Sequence, residues 1–159
     1  MNEKHTISCL VENHFGVLAR VSGLISARAF NIDSLTVSAT EDPTISRMTI
    51  VVDADAIKLE QVKRQLDRLI DVIDVKELRE GEFIDRELLL AQVKIAGKGR
   101  AELERVVRAC GGRLAEATDH SAVVEATGDT KVLDQLVEQL RVFGIEKLVR
   151  TGRVALEKQ

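Results

Sequence analysis

Twice along the chain, in the same order, the spacing of apolar residues switches between a two-residue period and a period of three to four. A two-residue period puts alternate side chains on one face of a strand, and a 3.6-residue period puts them on one face of a helix. Thr6 to Val11 alternates with Ile7, Cys9 and Val11 on one side, which predicts a half-buried strand. Glu12-Asn13-His14-Phe15-Gly16 breaks the pattern. Leu18, Val21, Ile25 and Ala29, broadened by Val17 and Leu24, then form a helical stripe. Asn31 is expected to end that helix, because Asn tolerates the left-handed conformation found there. Ile32 to Ala39 and Arg47 to Asp53 follow as strands, joined by the turn Glu41-Asp42-Pro43-Thr44, which holds the only proline. Asp55 is placed to cap a helix carrying Leu59, Val62, Leu66, Leu69 and Ile70. Val72 to Leu78 closes the unit as a fourth strand.

Arg79-Glu80-Gly81-Glu82 is charged, contains glycine and marks the expected boundary, giving domains 1–79 and 80–159. The plan then repeats. Leu88 to Ala96 is a strand, broken by Gly97-Lys98-Gly99. A helix with Leu103, Val106, Val107 and Cys110 on one face ends at Gly111-Gly112. Strands near Arg113 to Thr118 and Ala122 to Thr127 precede a helix capped by Asp129 or Thr130, bearing Leu133, Leu136, Val137 and Leu140. Gly144 ends it, and Ile145 to Val149 begins a last strand, with the tail Thr151 to Leu156 extended. The order β-α-β-β-α-β, taken twice, predicts an α+β protein of two ferredoxin-like modules, each an antiparallel sheet with both helices on one face.

Composition narrows the function. Acids and bases are interspersed and the net charge is −3, which leaves no electrostatic footprint for nucleic acid or an anionic membrane. RNA-recognition modules share the strand order but stack bases on aromatic residues of the central strands. Here those strands offer Ile7, Cys9, Met48 and Ile50, and the four Phe fall in loops, at the linker or near helix ends. His5, His14 and His120 show no paired ligand spacing, so no metal site is expected. Asp67, Asp71, Asp74 and Glu77 are spread among Arg68, Lys76 and Arg79 and suggest a solvated face. Gly97-Lys98-Gly99-Arg100 lacks the phosphate-loop pattern. Cys9 and Cys110 suit two small apolar residues in a reducing compartment. No catalytic residue is assigned. Without a leader or spanning segment at the N-terminus, a cytoplasmic location is expected.

Four stretches carry a resemblance. Glu12-Asn13-His14-Phe15-Gly16-Val17-Leu18-Ala19-Arg20-Val21 resembles the effector loop and first helix of ACT domains, which are amino-acid-sensing βαββαβ modules. Asn31-Ile32-Asp33-Ser34-Leu35-Thr36-Val37, with Asp42-Pro43-Thr44-Ile45-Ser46-Arg47-Met48-Thr49-Ile50, is similar to the small subunits of acetolactate synthase in particular. Arg86-Glu87-Leu88-Leu89-Leu90 resembles the opening of that family's C-terminal domain. The resemblance implies a regulatory chain without a cofactor of its own. Its partner, a large catalytic subunit, would carry thiamine diphosphate, Mg²⁺ and FAD. The small subunit would activate that partner and confer feedback inhibition by valine in branched-chain amino acid biosynthesis. An ACT module serving a different metabolic enzyme is the alternative.

The same resemblance implies a homodimer through the ACT domain, with effector held where one copy's first loop meets the second strand of its neighbour. The effector-binding residues it implies are Asn13, Gly16, Val17, Asn31 and Ile32. Their chemistry suits a free amino acid. Gly16 lets ligand approach the backbone closely, and the unpaired N–H groups of the following helix favour a carboxylate. The amides of Asn13 and Asn31 can accept from an ammonium or donate to a carboxylate. Val17 and Ile32 are apolar groups suited to an isopropyl side chain. Ala19 carries a methyl where family members often carry a hydroxyl, and His14 and Phe15 are individual to this chain.

Overall fold

The computed structural model describes residues 3–28, 30–95 and 99–159. Ala29, Ala96, Gly97 and Lys98, which figure in the expectations above, lie outside the described residues. Contacts divide the chain into two compact units, Met1–Ile84 with Arg153–Gln159, and Asp85–Gly152.

The first unit runs β1 (Glu3–Glu12), α1 (Val17–Ser26), β2 (Ile32–Ala39), β3 (Ile45–Ala54), α2 (Ala56–Leu66) and β4 (Val72–Leu78). Its sheet is antiparallel in the order β2-β3-β1-β4. That is the ferredoxin-like order expected from the periodicity. Ile7, Cys9 and Val11 of β1 and Met48, Ile50 and Val52 of β3 meet Val21 and Ile25 of α1 and Leu59, Val62 and Leu66 of α2 in one core. Asp55 caps α2, its side chain accepting from the Lys58 N–H. The helices are shorter than their stripes suggest. α1 ends at Ser26 with Ala27 as its C-cap, so Asn31 does not terminate it. α2 ends at Leu66, and Ile70 is exposed. Leu18 is also half exposed rather than core. Burial pushes the Cys9 thiol up to about 12, with the Asp74 charge adding to it, so this cysteine is an inert core residue.

The second unit repeats the plan with β5 (Phe83–Lys94), whose first two residues belong to the first unit, then α3 (Arg100–Ala109), β6 (Arg113–Ala117), β7 (Ser121–Gly128), α4 (Thr130–Leu140) and β8 (Ile145–Arg150). The sheet order is β6-β7-β5-β8. Leu89, Ala91, Val93, Val124, Leu103, Val107, Leu133, Leu136 and Leu140 form its core. Asp129 caps α4 by accepting from the Val132 N–H. At Gly112 the space is tight, since a Cβ would lie 2.8 Å from the Glu125 carbonyl oxygen. Only glycine fits there without a backbone shift.

The tail forms β9 (Val154–Glu157) and returns to the first unit. Arg153 donates to Thr6 Oγ1 at 2.7 Å, and its carbonyl accepts from Thr36 Oγ1 at 2.7 Å. Thr6, Ser8 and Thr49, on the sheet face away from the helices, are buried. Deleting Arg153–Gln159 should therefore destabilise the first unit by about 2–4 kcal/mol, from hydrogen bonds near 1 kcal/mol each and the lost burial of Ala155. Urea unfolding checks this, and an unchanged midpoint would refute it.

Candidate effector site

The loop between β1 and α1 is held from both sides. The Asn13 N–H donates to the Thr44 carbonyl at 2.7 Å, and Asn13 Nδ2 donates to the Pro43 carbonyl at 2.8 Å. The side-chain amide is thereby oriented, and its carbonyl oxygen remains an acceptor suited to an ammonium. Gly16 is the N-cap of α1 with φ +85°, a conformation that side chains with a Cβ rarely adopt.

Asp55 and Asp129 cap α2 and α4 with their side chains, whereas Gly16, like Gly99 before α3, supplies no side-chain hydrogen bond; the first turn of α1, unlike that of α3 with Glu102, also holds no acid. The first backbone donor used within the helix is Arg20 N–H, to the Gly16 carbonyl at 3.0 Å. The earlier N–H groups of the turn suit a carboxylate. A Cβ at Gly16 would stand 3.6 Å from Arg20 Nη1, so a guanidinium flanks the same spot. Arg20 escaped the sequence reading because one base on an exposed helix face carries no spacing signal.

Val17 is 3% exposed and packs in the core, so what it offers at the loop is its backbone N–H rather than its isopropyl group. Asn31 is exposed and donates to Asp33 Oδ1 at 3.2 Å. Ile32 is partly buried against the core. The five residues do not converge within one chain. Glu12, beside Asn13, pairs with Ile45, whereas Ile32 pairs with Val52 at the other end of β3. Seven residues of strand separate those positions by about 23 Å. A groove of about 320 Å³ lined by Thr36, Val37, Arg47, Thr49, Val154 and Ala155 includes none of the five.

Beside the loop, folding assembles a polar cluster that spacing along the chain does not show. Asp71 was expected on a solvated face with Asp67, Asp74 and Glu77. It is instead buried, because its carbonyl accepts the Glu12 N–H at 2.8 Å and draws residue 71 against the end of β1. Its carboxylate lies 2.9 Å from His14 Nε2 and 2.7 Å from Arg20 Nε. The Arg20 contact is close in charge, yet Asp71 Oδ2 has no directed hydrogen bond from it or from another described group. The Phe15 carbonyl, and after it the charges of Asp71 and Glu12, raise the His14 pKa above the ordinary histidine value.

Residues 7–74 match the family model described as the AHAS small subunit-like ACT domain, which places the first unit in the class of ACT-type regulatory modules. Residues 86–159 match the model described as the small subunit of acetolactate synthase. The chain is 44% identical over 153 residues to the probable acetolactate synthase small subunit of Archaeoglobus fulgidus, covering 96% of each. It is 39% identical over 156 residues to the isozyme 3 small subunit of Escherichia coli K12, covering 98% of this chain and 96% of that one. The crystal structure of the Thermotoga maritima small subunit superposes with a TM-score of 0.89 at 30% identity, covering 99% and 98%. The chain belongs to the family of acetolactate synthase small subunits. Its role is regulatory, and its two ferredoxin-like modules are those of the family. No helix among the described residues is long and apolar enough to cross a membrane.

Proposed function

We propose that this chain activates a large catalytic acetolactate synthase subunit and makes it sensitive to valine, bound between two copies of the first unit. The observation that carries the reading is the separation just described. Asn13 and Gly16 lie at one end of β3 and Asn31 and Ile32 at the other, too far apart for one small amino acid to bridge. Two copies related by a twofold axis can bring the first loop of each against the second strand of its neighbour. The uncapped turn at Gly16, with Arg20 beside it, supports a carboxylate there, and the oriented Asn13 amide supports an ammonium. The free edge of β2 supports pairing between copies.

In this reading thiamine diphosphate, Mg²⁺ and FAD belong to the large subunit, and this chain contributes no reacting group. The second unit serves chiefly activation and coupling. Its loop before α3 contains Gly99 but no counterpart of Asn13.

Sedimentation equilibrium with and without valine, paired with calorimetric titration of valine, tests the site. Dimers binding valine are expected, and a monomer at micromolar concentration or absence of binding would refute it. The purified chain should also form no acetolactate from pyruvate with thiamine diphosphate, Mg²⁺ and FAD supplied. Turnover that follows this chain through purification would contradict the regulatory assignment.

A further inference from the structure

We propose that Glu12, His14 and Asp71 form a binding site for one divalent transition-metal ion beside the N-terminus of α1. A neighbouring carbonyl sets the position of the proton on His14. Its Nδ1 lies 3.1 Å from the Phe15 carbonyl, which can only accept, so Nδ1 carries a hydrogen. That fixes the tautomer and leaves Nε2 as the lone-pair nitrogen of a neutral imidazole. Nε2 lies 2.9 Å from Asp71 Oδ1 and 3.2 Å from Glu12 Oε2. A nitrogen lone pair and two carboxylate oxygens thus face one another, and three acceptors hold together only around a cation. A second proton on Nε2 is one such cation. A metal ion in its place is the other.

The geometry suits the metal. Bonds of about 2.0–2.2 Å in a tetrahedral arrangement put neighbouring ligand atoms about 3.3 Å apart. The three ligand atoms lie within 4.8 Å of one another, two of the spacings being those already given. A histidine bound through one nitrogen while the other donates to a backbone carbonyl is the usual second-sphere arrangement at metal sites. Asp71 is the buried member of the three. Its side chain is 7% exposed, and its Oδ2 has no directed hydrogen bond. That oxygen faces the Arg20 guanidinium, while Oδ1 faces His14. Arg20, 2.7 Å away, balances one of the two carboxylate charges, and a dication taken up by the cluster offsets the other. Glu12 and His14 are about half exposed, which gives an ion a path in and leaves positions for water. An imidazole with two carboxylates suits Zn²⁺, Co²⁺ or Ni²⁺ better than Mg²⁺ or Ca²⁺.

Glu12 and His14 flank Asn13, so a bound ion would fix the loop assigned to the effector. That consequence rests on the proposed function; the metal site does not.

The test uses the full chain, stripped with EDTA and dialysed, titrated with Co²⁺ at neutral pH. Calorimetry and the visible absorption of bound Co²⁺ are the readouts. One Co²⁺ per chain is expected, displaced by Zn²⁺. His14→Gln and Glu12→Gln should each weaken binding by about tenfold or more, while His120→Gln should not. Both variants replace exposed side chains with polar ones, and circular dichroism checks that they fold. No saturable binding, binding unchanged in His14→Gln, or loss in His120→Gln instead would each overturn the site. Titrating valine into stripped and loaded protein separates the two ideas. Tighter or weaker valine binding on loading supports the coupling. Valine binding in neither form refutes the effector reading while leaving the metal result intact.

Discussion

Gly16→Asp is expected to abolish valine sensitivity in the reconstituted enzyme while largely sparing activation. The backbone at Gly16 has φ +85°, and a Cβ there meets no neighbour closer than the Arg20 guanidinium at 3.6 Å. Aspartate is among the residues that tolerate this conformation best. Its carboxylate would point into the space assigned to the carboxylate of valine and could pair with Arg20. A built-in anion would then occupy the helix N-terminus and repel the effector. Effector coupling is typically about 1–3 kcal/mol, so its loss is a roughly 5- to 150-fold change in apparent potency. Asn31→Ala should act in the same direction and less severely, because it removes an amide without adding repulsion. Valine inhibition curves for wild type and both variants measure this. A Gly16→Asp curve that overlays wild type, in a folded protein, would remove the effector from this loop.

Arg150→Met is expected to destabilise the second unit by about 3–5 kcal/mol, the range for leaving a buried ion-pair partner alone. Glu87 is 7% exposed, and its two oxygens accept from Arg150 Nε and Nη2 at 2.9 and 2.6 Å. Asp134 accepts from the third guanidinium nitrogen at 2.6 Å, and the hydrogen bonds that Arg150 donates to Glu87 lead in raising the Arg150 pKa. Removing the arginine strands the Glu87 carboxylate inside the sheet. Glu87→Leu combined with Arg150→Met should recover most of the loss, because no charge is then left to desolvate. A urea-denaturation double-mutant cycle checks both statements. Equal stability of Arg150→Met and wild type would show that the pair contributes nothing.

The fold was legible because it rests on local periodicity. Ile7, Cys9 and Val11, then Val21 and Ile25, then Met48, Ile50 and Val52 declare strand, helix and strand, and each set is in the core. The Asp55 and Asp129 caps were legible for the same reason, since each acts within three residues. Helix ends were less so. Ile70 continues the stripe of α2 in sequence, yet the chain has already turned toward β4 and leaves it exposed. What could not be read is what the fold brings together from afar. Nothing near Asp71 in sequence distinguishes it from Asp67, and only the pairing of β1 with β4 buries it beside His14. The return of Arg153 to Thr6 is hidden likewise. The residues proposed for the effector were all selected by family resemblance; the loop at Asn13 to Gly16 has local chemistry suited to an amino acid once it is singled out. Asn31 and Ile32 carry none by themselves, and their part was suggested by family resemblance.

The most direct measurement assays a cognate large subunit with and without this chain, each in the presence and absence of valine. Low activity is expected from the large subunit alone, with no response of that activity to valine. Adding this chain should raise activity and bring inhibition by valine with it. Activity unchanged by the chain, or valine inhibition already complete without it, would contradict the account.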